Sequence, residues 1–259
     1  MKRSARLALF VCSALMLLAV YLWALRWLPP FGHYQGPYGD VLNHLAVFER
    51  HVTNVVVAVT FDYRALDTLG EEFILAICIV GVVTLLRVQR EERKDDGNDG
   101  ANSDGTSGRR AVEPSDAAKV LTLALIGPMV VFGVYIASHG QLTPGGGFQG
   151  GVILATAPLL VYLAGDYKTF KQFSSHALVE LVEAAGVFGF VAIGLAALVM
   201  GANFLQNIAW LGTTGAINSG GTITLISLSV ALAVAGGFIL LLRQFLEQAL
   251  EIRSEGEGR

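Results

Sequence analysis

His176, Glu180 and Glu183 sit at i, i+4 and i+7 within an apolar run. On a helix that spacing puts all three on one face, with Glu183 about 10 Å beyond His176 at 1.5 Å per residue. Imidazole and carboxylate groups in such a row could pass a proton or hold a cation. Ionisable residues inside a membrane segment are costly and usually face a partner helix or a watered cavity. A plainer reading stands beside this one: Glu180 reaches back to the interface, and Glu183 pairs with a neighbouring protein chain. Glu71 and Glu72 open a second apolar helix, where carboxylates also favour the helix dipole and can stay wet. No nucleophilic triad, metal-spaced His/Cys set or cofactor fingerprint accompanies them, so the residues assign no catalysis, metal or cofactor. His33, His44, His51 and His139 are scattered through connecting segments and receive no ligand role. Cys12 and Cys78 both fall inside apolar runs, where inert buried thiols are the default.

The elements that must carry these residues are membrane helices. Of 259 residues 53% are hydrophobic and only 15% charged, and the mean hydropathy is +0.57. Soluble domains carry about 25% charged residues, so the composition is that of a membrane protein. The net charge of −3 carries no nucleic-acid signal. The expected fold is all-α and transmembrane, with about six spans in two small modules joined by a disordered linker. Leu7 to Leu28 is the first span, read as an uncleaved helix that imitates a signal peptide. Its apolar run of about 22 residues is long enough to cross a hydrocarbon core. Pro29-Pro30 stops it. Val41 to Phe61 holds too short an apolar stretch to cross and is expected as an interfacial or half-buried helix. Asp67 or Thr68 can cap the next helix, running to about Arg87. Residues 1–90 then form a two-span module and 91–116 a polar, Gly-rich linker. Residues 117–250 form a four-span module, and 251–259 a charged tail. Basic residues cluster at the N-terminus, in the linker, at Lys168 and Lys171 and at the C-terminus. The excess of Lys and Arg in cytoplasmic loops then places both termini in the cytoplasm.

Between the third and fourth spans lies Ser138-His-Gly-Gln-Leu-Thr-Pro-Gly-Gly-Gly-Phe-Gln-Gly-Gly151. No Lys-Ser/Thr follows its glycines, which excludes a nucleotide P-loop. Its glycines allow close backbone approach. On its residues alone it is equally a simple turn between helices.

His139, Thr143, Pro144, Gly145, Gly146, Gly147, Phe148 and Gly150 together resemble the signature of the B-type (MnhB/MrpB-like) component of the Mrp-type multisubunit Na+/H+ antiporters. Glu183-Ala-Ala-Gly and Asn203-Phe-Leu…Ser219-Gly-Gly-Thr-Ile223 extend the resemblance over residues 117–250. The first module, through Phe61-Asp-Tyr-Arg-Ala-Leu-Asp-Thr-Leu-Gly-Glu71, resembles the C-terminal end of the large A-type component. That part is a separate small subunit in related membrane-bound hydrogenases. The resemblance implies a non-enzymatic accessory subunit of a cell-membrane antiporter exchanging Na+ for H+. Its partners would be large proton-path subunits and other small membrane subunits, within the lipid bilayer. It further implies that Glu71 helps line a cation or proton path and that Pro144 and Phe148 matter within the loop formed with Gly145, Gly146 and Gly147. Relatives often carry a polar or acidic residue in the final span, where this chain offers only Ser227 and Ser229, with Ala233 at the matching place. Two alternatives stay open: a subunit of a hydrogenase- or other enzyme-coupled ion-pumping complex, and a structural scaffold.

Overall fold

Helices dominate because long apolar runs, which find no water to satisfy their backbone, must satisfy it internally. The structure is a computed structural model, and it describes residues 3–28, 32, 36–95, 115–164, 170 and 174–256. In order these form α1 (Arg3–Leu25), α2 (Pro37–Arg50), α3 (Val55–Ala58), a π-helical turn (Val59–Tyr63) and α4 (Ala65–Asp95). There follow α5 (Asp116–Ser138), α6 (Gly147–Ala164), α7 (His176–Val199) and α8 (Thr222–Gly256). No strand occurs among the described residues. Among the described residues six helices are long and apolar enough to cross a membrane: Leu7–Leu25, Ala65–Leu86, Asp116–Ser138, Gly147–Ala164, His176–Val199 and Thr222–Leu246. The expected all-α, six-span class is therefore what the chain adopts.

Two compact units divide the chain, Met1–Val41 and Leu42–Arg259. In the first, α1 buries none of its apolar window. The second holds everything from the body of α2 onward. Here α4 packs on α8 within the same unit as the last four spans. Helix α4 also continues to Asp95, into the expected linker. Residues 96–114, and the basic loop residues Lys168 and Lys171, lie outside the described residues.

The stretch from Val41 to Phe61 is not one helix. His51 adopts a positive φ of 54°, which ends α2. Asn54 then caps α3, its side-chain oxygen accepting from the Val57 amide at 3.4 Å. Val52, Val57, Ala58 and Phe61 are buried in the main core with Ile223, Ile226, Val230 and Val234 of α8. Helix α4 starts at Ala65, earlier than a cap at Asp67 or Thr68 would give. Asp67 instead pairs with Arg64, and the Thr68 hydroxyl donates to Thr60 O at 2.7 Å.

Small residues set how closely the spans approach. A Cβ on Gly150 would lie 2.7 Å from Ala137 Cβ, and one on Gly151 2.7 Å from Ala231 O. Gly186 of α7 abuts Ala233 of α8, and Gly236 of α8 abuts Glu183 of α7. That pairing runs in opposite chain directions, whereas Gly147 against Ser227 and Gly151 against Ala231 run in the same one. Helices α6 and α8 therefore start on one side of the bundle and α7 on the other. Close approach of this kind drives helix packing in lipid.

Candidate functional site

A polar cluster sits where α2, the π-helical turn and the connection from α7 to α8 meet. Arg50 Nε lies 2.9 Å from Asp62 Oδ1, with Asp62 only 7% exposed and Arg50 29%. The Nε–H is not aligned for a hydrogen bond, so the contact is ionic. Asn207 Nδ2 donates to Asp62 Oδ2 at 3.1 Å and to Gly220 O at 2.9 Å. Its Oδ1 accepts from the Thr222 amide at the start of α8, at 3.0 Å. The Arg50 guanidinium also covers the Tyr63 ring at 4.9 Å. The Tyr63 hydroxyl donates to Glu49 at 2.6 Å. Burial first, and that hydrogen bond second, push the phenol up to about 12, so it stays a donor. The π-helical turn, closed by Arg64 N to Val59 O at 2.8 Å, adds a residue to the winding just before α4. Such turns are frequent at functional sites.

The glycine turn is gripped from the same region. Asn54 Nδ2 donates to Gly140 O at 2.8 Å and Thr143 O at 2.9 Å. The Thr53 hydroxyl donates to Leu142 O at 2.6 Å. Gln141, fully buried, donates through Nε2 to Ile217 O at 2.9 Å. His51 Nδ1–H donates to Gly212 O at 2.7 Å, which fixes its tautomer. Within the turn, Gly145 and Gly146 have φ of +136° and +142°. At Gly146 an added Cβ would find ordinary space beside Val57. Its glycine is required by backbone conformation rather than by crowding. Pro144 and Phe148 are exposed, and the Phe148 ring stands edge-on to Phe238 at 6.3 Å.

Beneath this layer α4, α7 and α8 converge. Ile79, Val179 and Leu240, one from each helix, form a buried cluster. Glu183 is half-buried against Gly236 and Gly237: a Cβ on Gly237 would lie 3.8 Å from Glu183 Oε1 and would crowd Ile79. His176 and Glu180 pair with each other, Nδ1 to Oε1 at 3.0 Å, and both are largely exposed. The i, i+4, i+7 row is thus split into an exposed pair and a deeper single carboxylate, which makes no ion pair among the described residues.

Glu71 is exposed, apart from that junction. Its neighbour Glu72 is the buried one, 4% exposed, with no hydrogen-bond partner on Oε2. The helical period carries the information: Leu69, Glu72, Leu75 and Ile79 share the core-facing side of α4, and Glu71 is rotated off it. Telling the two apart requires knowing which side of α4 meets α8. In the Arg50–Asp62–Asn207 cluster, Asp62 and Asn207 stand 145 residues apart in sequence, and no local spacing announces it. In the final span both serines are occupied by backbone. Ser227 Oγ donates to Ala137 O at 2.9 Å and Ser229 Oγ to Leu225 O at 3.0 Å. Further along, Arg243 donates to Ser174 O at 2.7 Å. Among the described residues no group of His, Cys, Asp and Glu could hold a metal ion.

Residues 117–240 match the model of a family described as a domain related to the MnhB subunit of Na+/H+ antiporter. The chain is 32% identical over 114 residues to the B-type component of the Na+/H+ antiporter of Bacillus subtilis, covering 42% of this chain and 76% of that one. Among solved structures it resembles a chain of the membrane-bound sulfane sulfur reductase, an archaeal respiratory membrane complex. There the identity is 31% and the TM-score 0.70, over 91% of this chain and 97% of the other. It also shares the fold of part of the Mrp complex from a Dietzia species, with a TM-score of 0.68 at 24% identity. That match covers 94% of this chain and 26% of the longer one.

Proposed function

This chain belongs to the family of domains related to the MnhB subunit of Na+/H+ antiporters, and on that premise we propose that it serves a cation/proton antiporter-type complex as an accessory membrane subunit. It is a multi-pass membrane protein with other membrane subunits as its partners. Its own contribution is a carboxylate on the ion path rather than a catalytic group. The observation that carries this is Glu183, held half-buried by α8 backbone at Gly236 and Gly237 and lacking an ion pair among the described residues. A charge at membrane depth costs about 2.5–3.5 kcal/mol on insertion scales. Glu183 can therefore exchange a proton for a monovalent cation entering past His176 and Glu180. In this reading both termini are cytoplasmic, the glycine turn faces outward, and Na+ is the exchanged cation. The exposed Glu71, Pro144 and Phe148 face neighbouring subunits, and residues 1–90 act as the module that resembles the end of the large A-type component.

The test is co-purification followed by transport. A tag on this chain should retrieve larger membrane subunits, and proteoliposomes holding the complex should show Na+-driven proton flux. The chain alone should show none, because its described residues hold no pair of mirrored broken helices like those of a self-sufficient transporter. Robust flux from the chain alone would end the accessory reading. The likeness to a chain of the sulfane sulfur reductase supports a second reading, in which the same protein serves an enzyme-coupled ion pump. Retrieval of iron–sulfur proteins together with the membrane subunits would favour it.

A further inference from the structure

Glu72 is a buried acid for which the path through Glu183 has no use. It lies in the outer half of the α4 span, 4% exposed, with Oε2 lacking any partner. An ionised carboxylate with a bare oxygen in apolar surroundings is too costly to persist, so such a group holds either a proton or a cation. Among the described residues no permanent counter-charge is paired with it. On α4 itself the neighbour is Glu71, another acid. On the π-helical turn Asp62 is already paired with Arg50, and Tyr63 is committed to Glu49. The nearest acid on α7 is Glu183, about 10 Å further along the bundle, and Glu180 is exposed and paired with His176. Helix α8 carries no ionisable residue between Thr222 and Leu242, and Arg243, beyond it, reaches Ser174.

The position is also suited to exchange. One turn toward the outer end, Thr68 bonds the π-helical carbonyl of Thr60, directly under the Arg50–Asp62–Asn207 cluster. Seven residues the other way, Ile79 meets the Gly237 gap beside Glu183. At 1.5 Å per residue Glu72 thus stands about 10 Å above the level of Glu183. One acid occupies the outer half of the α4–α7–α8 junction and the other the inner half.

We propose that Glu72 is a second proton-binding site of this protein, loaded from the side of the outer polar cluster and exchanging its proton for a monovalent cation. In each exchange the carboxylic acid releases one proton and the carboxylate accepts one cation, so charge is conserved. The role belongs to Glu72 and not to the adjacent Glu71, which faces away from the junction. This rests on the antiporter reading above for its physiological cation, but the proton site itself does not depend on it.

The experiment uses the assembled complex retrieved through this chain. Infrared difference spectra on Na+ addition, with and without a pH step, report loss of a protonated carboxylic acid. Proteoliposomes report Na+-driven proton flux. Glu72→Gln is expected to assemble at wild-type yield, to lose the Na+-sensitive acid band, and to cut flux by roughly tenfold or more, as loss of a proton-transfer group does. Glu71→Gln is expected to keep the band. Glu72→Asp keeps an acid and is expected to assemble and to shift the pH profile of flux. An unchanged band and flux in Glu72→Gln would overturn the proposal while leaving the antiporter reading intact. So would failure of both Glu72 variants to assemble, which would make Glu72 a packing residue. A wild-type complex with the band but no flux would sink the antiporter reading and leave the site standing.

Discussion

Removing Asp62 tests the polar cluster that joins α2 to the start of α8. Asp62→Ala leaves the Arg50 guanidinium without its counter-charge, whereas Asn207 keeps Gly220 O as an acceptor. Breaking a buried pair costs about 3–5 kcal/mol. Arg50 is 29% exposed, so water screens part of the loss and about 2–3 kcal/mol is the working figure. For a unit of this size each kcal/mol moves the melting temperature by roughly 2–4 °C, giving a fall of about 4–12 °C in the purified complex. Asp62→Asn keeps an acceptor for Asn207 and should cost about half as much. The decisive assay is a double-mutant cycle with Arg50→Met and Asp62→Leu, read by thermal unfolding. A coupling of about 1–2 kcal/mol is expected. Strict additivity, within about 0.3–0.5 kcal/mol, would refute a working ion pair and reduce the cluster to adjacency.

Gly151→Val should prevent assembly because its Cβ would collide with the Ala231 carbonyl of α8, and Gly146→Ala should cost about 1–3 kcal/mol of backbone strain without a clash; equal yields of the two variants would remove the crowding argument. Cysteines placed at Trp210 and Ser103, in a chain lacking Cys12 and Cys78, should label from opposite sides of sealed vesicles, with Ser103 on the cytoplasmic side, and labelling of both from the same side would contradict the proposed topology.

The apolar runs and their lengths made the six helices legible, because the period and the roughly 20-residue span length are properties of local sequence. Gly-rich composition likewise marked the turn at residues 139–150. The division of labour among its glycines was not legible. Gly146 needs its φ, whereas Gly150 and Gly151 need their missing Cβ. That distinction depends on which helix lies opposite. The same holds for the carboxylates. Spacing puts His176, Glu180 and Glu183 on one face, yet Glu183 alone reaches the α8 glycines while His176 and Glu180 stay exposed. Glu71 and Glu72 are adjacent and chemically alike. A rotation of about 100° per residue decides that one is exposed and the other buried, and only the contact of α4 with α8 sets that rotation. The short pieces from Pro37 to Tyr63 were the least readable, since His51, with its positive φ, and Asp62 of the π-helical turn find their partners 161 and 145 residues away.

Whether this protein lends a carboxylate to the ion path of a larger complex is decided most directly at Glu183. The measurement is Na+-driven proton flux in proteoliposomes holding the complex retrieved through this chain, comparing the wild type with Glu183→Gln. Glutamine keeps the shape that fits Gly236 and Gly237, so assembly should be unchanged while flux falls or its pH optimum shifts. Full flux with an unchanged pH profile in a normally assembled complex would contradict the claim and leave Glu183 a packing residue.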